Sequence, residues 1–354
     1  MKKEILEILK DLLNFRTVEG NREEFEKIFA YIKTFKKKEL FYKEYVFKEK
    51  KACVLANCEG NDFDIVFSTH IDVVPNANYE IYEDETNIYG RGTIDMKGSV
   101  SVLLKLFNEV KTDKKIALFI TSDEEIDGNC TYELLKIYKT KLAIVPDGGT
   151  NFNLIHEEKG LLRLKLSMKT KAAHSSQPFN GVNAICELIH VYNQIIDKYP
   201  LPKSDKEYIT SVNLAKFVGG EALNQVADYA EMYLDIRHIK KDTKEELVNF
   251  IKEINKTVSV EILLEGDIFE TDLNNEEVKR YIQVCEHVLG RNIEILGCES
   301  TSDAIYFSSL GVPTIIMNPD GYYAHCPNEY VNKESLKVLY TIYKKFIEGD
   351  GNEN

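Results

Sequence analysis

Three things are scarce in this sequence, and each scarcity removes a class of protein. No stretch approaches the ~18 consecutive apolar residues of a membrane-spanning helix. The opening Met1-Lys2-Lys3-Glu4 leads into an amphipathic pattern, not an apolar signal core. The expectation is a soluble, cytoplasmic protein with no membrane partner. Seven cysteines (Cys53, Cys58, Cys130, Cys186, Cys285, Cys298, Cys326) form an odd set without a Cys-X-X-Cys pair. That argues against a disulfide framework and a thiolate zinc site, and reads most of them as small buried hydrophobes. Positive charge is also short: the formal net charge is −13, so a nucleic-acid backbone would be repelled. The one basic run, Lys36-Lys37-Lys38, is closed by Glu39 and reads as a solvated helix end.

What is present suits a large globular enzyme. The 354 residues are 44% hydrophobic, enough for two domains or one large domain carrying an insertion. Ile5, Leu6, Ile8, Leu9, Leu12 and Leu13 recur at helical spacing, and a second helix is expected over 23–35. Short apolar runs at 52–56, 65–68, 116–121 and 142–145 read as strands buried on both faces of an α/β sheet, with a helix over 97–110 between them. Past Lys159 the order becomes βαββαβ: strands at 161–169, 209–217, 230–237 and 258–264, helices at 181–196 and 244–255. The α/β pattern returns with helices over 276–289, 304–310 and 333–348 and a strand over 313–317. The expected organisation is a catalytic domain of residues 1–159 and 271–354, interrupted by an α+β insertion at 160–270.

Five segments hold residues able to do chemistry. In Ser68-Thr69-His70-Ile71-Asp72 an apolar strand ends in a histidine, and the acid two positions on shares its face and can orient the imidazole. Gly90-Arg91-Gly92-Thr93-Ile94-Asp95-Met96-Lys97-Gly98 places an acid just before a helix, where amides would hold its carboxylate. Ser122-Asp123-Glu124-Glu125-Ile126-Asp127-Gly128 crowds four acids at a strand end. Asp147 and His325 follow two more strands, in Pro146-Asp147-Gly148-Gly149 and Ala324-His325-Cys326-Pro327-Asn328-Glu329-Tyr330. Singly, each has a plain structural alternative: a hydrogen-bonded histidine, a helix cap, a solvated acidic loop. Jointly they converge on the carboxyl edge of one sheet, where open α/β sheets bind ligands. Two histidines with several carboxylates form a set for Zn²⁺, Co²⁺ or Mn²⁺, and a bridged pair of such ions implies hydrolysis.

In this order and spacing, THIDVVP, GRGTIDMKG, TSDEEIDG, PDGG and AHCPNEY resemble the metal-dependent amidohydrolase and peptidase family that includes acetylornithine deacetylase, succinyl-diaminopimelate desuccinylase, aminoacylase, glutamate carboxypeptidase and several dipeptidases. The resemblance covers essentially the whole chain. It implies a mixed-sheet catalytic domain with two divalent metals, most commonly zinc, and an inserted lid that dimerises in many members. His70 and Asp147 would hold one metal, Glu125 and His325 the other, and Asp95 would bridge. Asp72 would orient His70, and Glu124 would be the general base. His174 would be the lid histidine that stabilises the oxyanion, and Asn224 and Arg237 would bind the substrate's carboxylate.

Two departures bear on substrate. Asp147 is an aspartate where desuccinylases usually carry glutamate, and His156-Glu157-Glu158-Lys159-Gly160 lacks their paired arginines. The expected activity is therefore an N-acyl-amino-acid deacylase of the acetylornithine or acetyl-lysine type, ahead of a dipeptidase or carboxypeptidase and then a desuccinylase. A non-catalytic assembly protein is the rival from another class. Thr301, Ser302 and Asp303 are placed at the substrate pocket, Asp303 alternatively as a helix cap. The expected partners are a small N-acyl amino acid or dipeptide and a second copy of the chain, paired through residues 160–270.

Overall fold

Strands without polar interruption can be buried only if both faces are covered, and three of them organise the molecule. The computed structural model describes residues 4–75, 80–126, 128–204 and 207–349. Ile116–Thr121 is buried at every position, as are the last six residues of Asp62–His70 and the last four of Lys139–Val145. They lie side by side and parallel, with Asp62–His70 in the middle, and Thr314–Ile316 runs parallel beyond Lys139–Val145. Antiparallel strands make the sheet mixed: Lys50–Ala56 beside Ile116–Thr121, Phe41–Phe47 outside it, and Leu154–Glu158 against Thr314–Ile316.

The chain divides into two compact units. The first comprises Met1–His156, Glu270–Leu296 and Ser302–Asn354; the second comprises Glu157–Phe269 and Gly297–Thr301. In the first, Ile5–Leu13, Gly98–Glu109, Glu276–Leu289 and Lys333–Glu348 pack together, while Asn129–Ile137 packs with Ala304–Ser308. Gly98–Glu109 has ten of its twelve residues buried, so it is an interior helix and not an amphipathic one.

A small antiparallel sheet in the same unit ties distant loops together. Its order is Gly321–Tyr322, Tyr330–Asn332, Asn87–Tyr89, Tyr82–Glu83. Ile88 and Val331 face each other and are fully buried, while Tyr322, Tyr330, Tyr89 and Tyr82 form a cross-strand row. Tyr82 stacks on Tyr89 with ring centroids 4.5 Å apart.

The second unit is an antiparallel sheet ordered Ser211–Gly219, Tyr229–His238, Gly160–Lys169, Ser259–Gly266. Its two middle strands alternate buried and accessible residues, and Ala184–Lys198 and Lys244–Ile254 share the core formed by Leu162, Leu164, Leu166, Met232, Leu234 and Ile236.

Several expectations need correction. The helix expected from Gly181 begins at Ala184, because the Asn183 side chain caps it by accepting from the amides of Ile185 and Cys186. The second helix ends at Lys33, so Lys36-Lys37-Lys38 lies beyond it, and the Lys37 ammonium donates to the Asn108 carbonyl. Only Cys53, Cys130 and Cys285 of the seven cysteines are buried, and all seven are free. Among the described residues no helix is long and apolar enough to cross a membrane. Leu118, fully buried in the strand beside the one that ends in His70, should lose about 2–5 kcal/mol on truncation to alanine, read as a lower urea midpoint with unchanged slope.

Candidate metal centre

Parallel register brings the candidate ligands together. His70 is the last residue of its strand and pairs with Thr121, so the acidic segment that follows Thr121 emerges beside it. Asp147 leaves the next strand two residues past Val145. His70, Glu124, Glu125 and Asp147 thus meet at the carboxyl edge of three adjacent strands. Asp127 lies outside the described residues.

Asp95 sits between two imidazoles. Its Oδ1 is 3.1 Å from His70 Nε2 and its Oδ2 is 3.0 Å from His325 Nε2. Glu125 Oε2 meets the same His325 Nε2 at 2.9 Å, and Asp147 Oδ2 lies 3.9 Å from His70 Nε2. Donor atoms of His70, Asp95 and Glu125 lie within 4.8 Å of one another, and so do those of His70, Glu124 and Asp147. Oxygen and nitrogen donors at this spacing fit borderline-hard divalent cations, and a carboxylate with one oxygen toward each histidine fits the bridging position.

The electrostatics point the same way. Burial, then Asp147, with Asp303 and Asp95 adding, hold the Glu124 carboxyl well above the ordinary carboxylate range, with His70 opposing. Burial and Asp95 push Asp147 up to about 7. Burial disfavours a charged His70, but Asp72 and Asp95 outweigh it and raise its pKa. Asp95 and Glu125 lift His325 to about 10. Carboxylates this crowded call for cations.

The supporting contacts differ from expectation in two places. His70 Nδ1 faces the Asp72 carbonyl at 3.0 Å, whereas the Asp72 carboxylate is 3.5 Å away and its other oxygen accepts from the Glu125 amide at 3.0 Å. Asp72 therefore fixes both the imidazole and the neighbouring acid. Nor do helix amides hold Asp95. The turn at Thr93–Lys97 is irregular, with non-helical Asp95 and Met96 and a cis peptide between them, and the helix starts only at Gly98.

The amides of Gly92, Ile94 and Asp95 instead donate to Glu329 at 3.0, 3.0 and 3.2 Å, and Arg91 adds an ion pair at 2.6 Å. Glu329 is 1% exposed, and Gly92 at φ +86° supplies a backbone that a side chain would strain against Val73. Sequence reasoning passed over Glu329. Its signal was an acid four residues past a candidate ligand histidine, balanced by Arg91 in the loop that carries Asp95.

Asp303 also differs from expectation. It is 6% exposed and makes no cap hydrogen bond; its Oδ2 accepts from the Thr131 hydroxyl. Burial, with Asp123 and Asp72 adding, pushes its carboxyl up to about 8 against the Thr131 hydrogen bond and His70.

In the second unit, His174 and Asn224 are neighbours on a two-stranded ribbon, His174 opposite Gln225, with the Ser175 amide donating to the Asn224 carbonyl at 2.9 Å. His174 Nδ1 accepts from the Ser176 amide at 3.2 Å, which leaves the ring proton on an exposed Nε2. Arg237 is on a different strand and donates to Asp235 at 3.1 Å, a carboxylate it shares with Arg163.

This centre defines a metal-dependent hydrolase of amide or peptide bonds, and the comparisons name its kin. Residues 66–349 match the model of peptidase family M20/M25/M40, and the chain belongs to that family. A metallohydrolase of Methanocaldococcus jannaschii is 28% identical over 340 residues, spanning 92% of each chain. Acetylornithine deacetylase of Pectobacterium carotovorum is 26% identical over 314 residues, 80% of this chain and 79% of that one. A tripeptidase structure from Staphylococcus aureus superposes with a TM-score of 0.77 over 98% of both chains at 20% identity, which is a likeness of fold.

Two outcomes follow. The surrounding carboxylates raise the proton affinity of both imidazoles, so a cation must compete with protons there: metal binding should release protons, and affinity should fall as pH drops. Calorimetry of the chelated protein in buffers of low and high ionisation enthalpy reads this directly. Glu329→Ala strands Arg91 and three amides and should cost about 3–5 kcal/mol in stability. The weaker change, Glu329→Gln, should lower metal affinity about 10–100-fold in a competition titration.

Proposed function

We propose that the protein hydrolyses the amide of an N-acyl amino acid of the acetylornithine or acetyl-lysine type. The observation that carries this reading is the convergence of His70, Asp95, Glu125, Asp147 and His325 with a free acid, Glu124, beside them. The likeness to an acetylornithine deacetylase, together with aspartate at position 147, favours that substrate class. His70 and Asp147 would hold one ion, Glu125 and His325 the other, with Asp95 placed to serve both; zinc suits the set, with cobalt or manganese as substitutes. When bound, such a pair acidifies water and polarises the scissile carbonyl.

Glu124 accepts the proton of the attacking water on its carboxylate and returns it to the leaving nitrogen. Its neighbours favour this, since a carboxyl held above the ordinary range is a better base near neutrality. His174 offers Nε2–H to the developing oxyanion, a donation worth roughly 3–4 kcal/mol. Arg237 and Asn224 bind the substrate's carboxylate; Arg237 leaves Asp235 for it, and Arg163 stays to balance Asp235.

Residues 160–270 act as the lid and as the dimer contact. In support, Ile262, Leu263 and Leu264 on the open edge strand Ser259–Gly266 are nearly half exposed, a row that a second copy would cover. Seven free cysteines suit a reducing cytoplasm.

The deciding experiment offers N-acetylornithine, N-acetyl-lysine, N-succinyl-diaminopimelate and several dipeptides to the zinc- or cobalt-loaded protein, each with a chelated control. Chelator-sensitive cleavage of the acetyl compounds supports the reading. Cleavage confined to dipeptides makes the protein a dipeptidase, and no cleavage with two ions bound favours the non-catalytic rival. Glu124→Ala should lower turnover by at least ~10²–10⁴ with metal content unchanged, and loss of metal instead would make Glu124 a ligand. Light scattering should give a dimer, and Leu264→Lys should shift it toward the monomer.

A further inference from the structure

A general base must be held in place as well as tuned, and the acids around Glu124 are not all accounted for by metal binding. The segment bearing Glu124 folds over Asp123: the amides of Ile126 and Gly128 donate to the Asp123 carbonyl at 3.3 and 2.8 Å, and its carboxylate accepts from the Cys130 amide at 3.0 Å. On the inner side, Asp72 takes the Glu125 amide. On the outer side, the fixed object is Asp303, which comes from a segment 172 positions further along the chain.

The fit at Asp303 is close. Gly128 adopts φ +58°, and a Cβ there would stand 2.6 Å from Asp303 Oδ1 and 3.0 Å from two atoms of the Tyr306 ring and hydroxyl. Only glycine lets the backbone rest against this carboxylate. The other oxygen takes the hydroxyl of Thr131, which is fully buried in the first turn of Asn129–Ile137. One carboxylate therefore locks both the end of the acidic segment and the start of the helix that follows. A helix cap would require neither the buried threonine nor the bare glycine, and Asp303 caps nothing.

We propose that Asp303, through Thr131 and Gly128, is the positioning residue for Glu124: it holds the acidic segment at the setting in which Glu124 faces the reacting water, Glu125 having its own restraint in the amide bond to Asp72. The role assigned to Glu124 rests on the hydrolase reading above. Asp303 acts through the segment it locks, its side-chain hydrogen bond going to Thr131, while its charge also adds to the field on Glu124; Thr131→Val removes the first effect and leaves the second. Misplacing a catalytic group by about 1 Å can lower turnover ~100-fold without altering affinity.

The test uses the zinc- and cobalt-loaded protein and the variants Asp303→Asn, Thr131→Val and Thr131→Ser. Asp303→Asn and Thr131→Val should lower kcat at least tenfold with KM, metal content and the cobalt absorption spectrum unchanged, and Thr131→Ser, which keeps the hydroxyl, should retain activity. Unchanged kcat in Thr131→Val overturns the proposal. So does loss of metal or of the cobalt spectrum in parallel with kcat, which would make the contact a general support of the centre. Crystal structures of wild type and Thr131→Val give a readout independent of turnover: the Glu124 carboxylate should move while Asp95 and His325 stay. If the wild type cleaves nothing offered, the functional reading fails, and the crystal comparison still decides the positioning claim, with an unmoved Glu124 overturning it.

Discussion

A single carboxylate shared between two imidazoles sets the conditions for everything around it. Asp95 extends one oxygen toward His70 and the other toward His325, and those histidines lie 255 positions apart in the chain. A bridge of that kind works only if its backbone cannot rotate, and a loop rich in glycine has no stiffness of its own. The stiffness comes from Glu329, whose two oxygens occupy three amides and a guanidinium of that loop. Since Glu329 is four residues from His325, the anchor of Asp95 and the imidazole at its far side belong to one segment. The small sheet that pairs 87–89 with 330–332 makes the two loops a single body.

The same logic runs through the acidic side. The centre concentrates negative charge on carboxylates that are mostly buried, an arrangement unstable by itself, and several acids have separate restraints. Asp72 grips the neighbouring backbone, Asp123 folds its own turn, and Asp303 braces the end of the segment. Burial and repulsion raise the proton affinities of Glu124, Asp147 and Asp303, and a cation able to relieve that repulsion is favoured.

Much of this was legible in the residues themselves. Uninterrupted apolar runs announced Ile116–Thr121 and its neighbours, and an acid or histidine at the end of a strand is a pattern that a single sequence displays. What stayed hidden depends on long-range pairing. Phe41–Phe47 is broken by the adjacent pair Lys43-Glu44 and has no buried position, and strands of two or three residues, such as Tyr330–Asn332, exist only because a partner lies opposite. Glu329 and Asp303 were equally invisible as restraints, since a buried acid betrays itself by its partners, and Arg91 and Thr131 lie 238 and 172 positions away. Asp95 shows the reverse error: a local rule about helix amides was sound, but the amides had a better acceptor.

The pairing of 87–89 with 330–332 has a consequence for the order in which the protein is made. Chains leave the ribosome amino end first, at about 5–20 residues per second, so Asp95 emerges roughly 12–50 s before the segment that holds it. Throughout that interval His70, Glu124 and Asp147 can be present on a nascent sheet while the bridge between the histidines has neither its anchor nor its second imidazole. The full set of candidate ligands therefore comes together late in translation, when the last tenth of the chain docks.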